Sequence, residues 1–265
     1  MENKRLFIFC IVGFLLIFLI SVLLSGNLID DLVEKTLQNS DISSNYSSLD
    51  LESSSSSIVS NSSNESQTDE SILGELSPEI VRIVEAYKTK DSSKLTDEKD
   101  IFVLKEAEKI INSQINLNMT DYQKEIAIHD YIIKNSKYDT DALDERAEVS
   151  PDSLTAYGLL KNKKAVCLGY TRTFQLFMKM LDIECIVIHA KANGGQEHGW
   201  NMVKLDGEWY HVDVTWDDPI PDCGDNVRYN YFNVTTSYMK KTDHEWDSSK
   251  FPNANSTKYS YNNMK

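Results

Sequence analysis

The dipeptide Asp206-Gly207 constrains this 265-residue chain more than any other short stretch. It separates Trp200-Asn201-Met202-Val203-Lys204-Leu205 from Glu208-Trp209-Tyr210-His211-Val212-Asp213-Val214, two runs of strand-like composition. Asp-Gly between such runs tolerates the positive φ angles of a type I′ turn, so an antiparallel hairpin is expected. With the turn centred there, Trp200 falls opposite Asp213 and His198 opposite Thr215. His198 and Asp213 become diagonal neighbours on one face, their backbones about 7–8 Å apart, a gap two side chains can close. A slip of one residue would send them to opposite faces.

An imidazole aimed at a carboxylate becomes chemically interesting when a nucleophile lies nearby. Cys167 opens a run with helical spacing that places Tyr170, Phe174, Phe177 and Leu181 on one side. A thiol at that helix start would meet unpaired N–H groups and the positive end of the dipole, which favour thiolate. Position alone fits a small buried cysteine equally well. Cys167, His198 and Asp213 can serve as nucleophile, general base and orienting group. His211 shares a face with His198 by strand parity and is its rival for the base. Tyr157, ten residues before Cys167, can give its hydroxyl to an oxyanion beside the Cys167 N–H, or simply pack. Trp200 and Trp216 flank the pair and are expected to pack over it, partly excluding water. His129 and His244 read as structural.

The blocks AYGLLKNKKAVCLGYTRTF, GWNMVKLDGEWYHVDVTWDDP and YNYFNVT resemble the bacterial transglutaminase-like domain, a branch of the papain-like cysteine-enzyme superfamily. The resemblance extends upstream through DYQKEIAIHDYIIKNSKYD and downstream to about Tyr261, most of the chain after Pro78. It implies an α+β fold, with N-terminal helices and a core helix carrying Cys167 packed on an antiparallel sheet carrying His198 and Asp213. It implies His198 rather than His211 as the base, and acyl transfer on amides of proteins or peptides. Gly199 departs from the commoner alanine of the HxWN block, a change too small to disturb the three residues. The family includes cross-linking enzymes, peptidases, amidases and inactive modules, so a non-catalytic cell-surface binding module is the alternative.

Before this domain the chain changes character twice. Residues 6–24 carry no charge and follow Lys4 and Arg5, long enough to cross a bilayer with the basic end in the cytoplasm. Residues 1–26 are therefore expected to be a transmembrane anchor, with a cleaved signal peptide as the alternative, and the remainder lies outside. Residues 27–77 are expected to be a disordered linker, about half serine between 40 and 66. Residues 78–265 are expected to form the catalytic domain. Eleven acids against one lysine in residues 27–79 account for most of the formal charge of −14. The acidic balance argues against a nucleic-acid partner. The expected partners are a protein or peptide substrate, such as a cell-wall peptide, and the membrane.

Helices are expected from Pro78, from about Asp97 to Asn112, and after Thr120, where Thr120 and Gln123 match a capping box. A charged loop over residues 139–151 precedes a short helix through Leu154, Tyr157, Leu159 and Leu160. Cys185 fits a buried strand as a small hydrophobe; a Cys185–Cys223 disulfide is conceivable outside the cytoplasm. No zinc spacing, phosphate loop or nucleotide fingerprint occurs, and Asp217-Asp218 is too short a signal for calcium, so no cofactor or metal is expected.

Overall fold

Three helices open the folded part, each where its start signal stands. Pro at the first position begins α1 (Pro78–Thr89). Asp97 caps α2 (Glu98–Gln114) by accepting from the Lys99 amide. Thr120 and Gln123 make the reciprocal capping box of α3 (Asp121–Asn135). The computed structural model describes residues 76–264 except 145, 146 and 223. The expected anchor, most of the linker and Cys223 lie outside the described residues. Among the described residues no helix is long and apolar enough to cross a membrane.

The charged loop holds a 3-10 turn over Thr140–Leu143. The short helix expected after it is two separate turns instead, a tight 3-10 turn over Pro151–Leu154 and a wider π turn over Gly158–Asn162. They meet backbone to backbone: a Cβ on Gly158 would lie 2.0 Å from the Asp152 carbonyl oxygen. A regular helix has no room there. Two short parallel strands, β1 (Lys137–Tyr138) and β2 (Lys164–Ala165), bracket this segment and deliver the chain to α4 (Cys167–Met180).

α4 is the centre of the molecule. Its sequence suggests one apolar side, yet Tyr170, Phe174, Leu176, Phe177 and Met178 are all buried. The helix packs on α1 and α3 and also against the sheet, so it is covered all round. That sheet runs β5-β4-β3-β6 and is antiparallel, built from β3 (Cys185–Ala192), β4 (Gln196–Leu205), β5 (Glu208–Val212) and β6 (His244–Glu245). Cys185 is free and buried in β3, as its sequence context implies.

The hairpin forms in the expected register, with Leu205 opposite Glu208 and Asn201 opposite Val212. Asp206 and Gly207 take φ angles of +49° and +84°, as a type I′ turn requires. One expectation fails. Strand pairing stops at Val212, and Thr215 lies in the helical turn α5 (Val214–Asp217) rather than opposite His198. The cause is Asp213, whose Oδ1 accepts from the Trp216 amide at 3.1 Å and caps that turn. On one face of the sheet Val203, Leu205, Tyr210 and Val212 join the main core. On the other, Ile188, Trp200 and Met202 pack on Ala254 and on Met239 of α6 (Thr236–Met239).

Candidate active site

The first turn of α4 is tied to the strand that carries the imidazole. Cys167, half-buried, is the first helical residue, and no side chain caps the helix. The positive end of the α4 dipole therefore faces the sulfur. One turn on, the Thr171 hydroxyl lies 2.8 Å from the Cys167 carbonyl oxygen and 2.9 Å from that of Gly199, its single proton serving either. The Asn201 amide donates to the Thr171 carbonyl at 3.2 Å. A Cβ on Gly199 would meet the Thr171 hydroxyl at 3.4 Å and His189 at 3.6 Å, so an alanine there also fits.

The His198 Nε2 lies 2.7 Å from the Asp213 Oδ2, and both side chains are buried. With Nε2 taken by Asp213, Nδ1 is the ring nitrogen left for a further partner. Burial works against a charge on His198. The Asp213 carboxylate, and hydrogen bonding and charge interaction with the Cys167 sulfur, outweigh it and push the imidazole up to about 10. Burial would likewise raise the Asp213 carboxyl, but His198 and His244 hold it well below the usual carboxylate range.

His244 is the residue that sequence reasoning placed elsewhere. β6 pairs with the edge of β3, Ala192 opposite His244, and delivers its Nε2 to 3.1 Å from the same Asp213 Oδ2. Asp213 thus accepts from two imidazoles and a backbone amide, drawn from three chain segments. Tyr138, to which the sequence reading gave no role, also lies near the site. Its partner in β1–β2 is Ala165, two residues before Cys167. Burial raises its phenol first, and the charge of Cys167 raises it further.

The remaining expected site residues divide. Trp216 packs against both imidazoles, its ring 5.3 Å from His198 and 4.3 Å from His244. Trp200 lies beneath the site, 1% exposed, with its indole N–H donating to the His211 Nδ1 at 3.1 Å. His211 also bonds Thr236 through Nε2, and burial with the neighbouring His244 pushes it down to about 3. Both of its nitrogens are engaged away from the sulfur. Tyr157 has its edge against Phe102 and the Lys99 ammonium over its ring. One atom each from His198, Asp213 and His244 lie within 4.8 Å of one another, but each of these side chains is committed to the hydrogen bonds above, so the cluster is a hydrogen-bonded one.

Residues 108–214 match the family model described as the transglutaminase-like superfamily. Kyphoscoliosis peptidase of Mus musculus is 26% identical over 114 residues, and that of Homo sapiens 27%. Each match covers 39% of this chain but 17% of the relative. The chain thus matches about a sixth of the length of these curated relatives. A solved structure described as a TGase aligns with a TM-score of 0.41 at 17% identity, over 63% of this chain and 41% of that one.

Proposed function

We propose that this chain, which carries a transglutaminase-like domain, is a cysteine enzyme that transfers acyl groups from the amides of proteins or peptides. The observation that carries the reading is the buried His198–Asp213 pair at 2.7 Å, with Cys167 at a helix start and interacting with the same imidazole.

The chemistry follows from those positions. The His198 imidazolium stabilises the Cys167 thiolate, which adds to the substrate carbonyl carbon. The carbonyl electron pair moves to oxygen, where the Cys167 N–H at the end of α4 supplies a hydrogen bond. Collapse of the tetrahedral intermediate breaks the C–N bond as the imidazolium passes its proton to the departing amine. The thioester then goes to water, giving hydrolysis, or to a second amine, giving a cross-link. The neutral imidazole takes the incoming nucleophile's proton, and Asp213 holds the ring in the required tautomer throughout. The charge-free residues 6–24 after Lys4 and Arg5 support a domain held outside a membrane, where cell-wall peptides and surface proteins are the available substrates.

Iodoacetamide should modify Cys167 much faster than the buried Cys185. Replacing His198 or Asp213 by alanine should slow that labelling, while Cys167→Ala removes it and keeps the fold. Equal, slow labelling of both cysteines would overturn the reading in favour of a binding module. Incubation with a labelled primary amine separates transfer from hydrolysis.

A further inference from the structure

We infer that His244 is a positioning residue of this site: an imidazolium that holds Asp213 against His198. The inference rests on the triad reading above and adds to it a fourth member, 31 residues beyond Asp213.

The proton count comes from the partners of the ring. His244 Nδ1 lies 2.8 Å from the Thr242 carbonyl oxygen, which only accepts. It also lies 3.1 Å from the Thr242 hydroxyl, whose proton lies toward the Met239 carbonyl at 2.8 Å. Nδ1 must therefore carry a hydrogen. Nε2 faces the Asp213 Oδ2 at 3.1 Å. A bare lone pair there would oppose a buried carboxylate, so Nε2 carries a hydrogen too. Both nitrogens donate, and the ring is a cation.

The groups facing it agree. His198, Asp213, His211 and Tyr231 surround the ring together with Trp200 and Trp216. His211 is held neutral as acceptor of the Trp200 indole, and the proximity of His244 helps depress it. The Asp213 carboxylate is also fixed at both oxygens, by His244 and His198 at Oδ2 and by the Trp216 amide at Oδ1. It cannot rotate away from the ring it orients. The His244 charge competes with His198 for Asp213, and so tempers the basicity of His198.

The test is the pH profile of Cys167 alkylation in the full chain, with the ¹⁵N spectrum of the histidine rings. In the wild type both His244 nitrogens should be protonated at neutral pH. His244→Leu should slow alkylation by about tenfold or more, the factor for a lost hydrogen bond to a charged group. His244→Gln keeps a donor and loses the charge. It should restore most of the rate and move both limbs of the profile to different pH, because His198 becomes more basic. A His244 ring with one proton at neutral pH overturns the inference, with no variant required. So does a leucine variant with the wild-type rate and profile, or equal losses in both variants with an unshifted profile. If instead wild-type Cys167 labels no faster than Cys185 and ignores His198→Ala, the triad reading itself has failed and takes this inference with it.

Discussion

The buried charges of this domain do not all belong to the candidate site. Glu125 lies wholly inside, accepting from the Asn233 amide at 2.8 Å, and burial pushes its carboxyl up to about 8. Its Oε1 and the Asn233 Oδ1 are buried without a hydrogen bond. His129 sits nearby between Asp130 and Asp217, each 3.2 Å from a ring nitrogen; burial opposes its charge, but the two acids push it up to about 9. Both groups hold protons in the folded state that the unfolded chain releases at lower pH. Their contributions are therefore complete at low pH and are lost as pH rises, for Glu125 through about 8 and for His129 through about 9. Thermal stability should fall between pH 6.5 and 8, each retained proton adding a slope of at most about 1.4 kcal/mol per pH unit. Glu125→Gln cannot titrate and should flatten that decline in a melting series. A variant that declines as steeply as the wild type would show that Glu125 is ionised in the fold. Glu125 was hidden in the sequence because it sits in a polar-looking stretch near the start of α3, where acids are ordinary. His244 was hidden for a related reason: a two-residue strand has no periodicity to read, and its partner lies on the far side of the hairpin.

Elements with strong local signals were the legible ones. The capping box at Thr120, the proline start of α1 and the Asp-Gly turn each act over a few residues, and each fixes its element where the chain predicts. The hairpin register follows, and with it the nearness of His198 to Asp213. What the hairpin pattern could not convey is that Asp213 leaves the sheet, because a cap hydrogen bond to Trp216 outweighs one more rung of pairing. The all-round burial of α4 was equally invisible, being a property of its neighbours. One glycine makes that burial possible. A Cβ on Gly169 would lie 2.5 Å from the Ser153 carbonyl oxygen and 2.7 Å from the Ala165 Cβ, so α4 touches the preceding segment directly. Gly169→Ala should overpack this contact and cost about 1–3 kcal/mol. The expected readout is a melting temperature lower by several degrees, at about 2–4 °C per kcal/mol for a domain of this size. An unchanged melting temperature would mean the contact has slack.

Across the whole molecule, the compact unit that begins at Ser71 contains the core, the sheet and all the site residues. A chain beginning at Ser71 should unfold in a single transition at the temperature of the full chain and keep the Cys167 labelling rate. A lower temperature or slower labelling would mean that the first seventy residues take part in the fold. The acidity of the chain also resolves at this scale: most of it lies before the domain, so net charge says little about what the site accepts. The order of the parts along the chain has a consequence of its own. The Asp213 carboxylate is gripped from residues 198, 216 and 244, and the last of these is the latest to be synthesised. A nascent polypeptide exposes its sulfur first, its base later, and the final clamp last of all. Chains stalled before that clamp docks carry sulfur, imidazole and carboxylate with the carboxylate still free to turn.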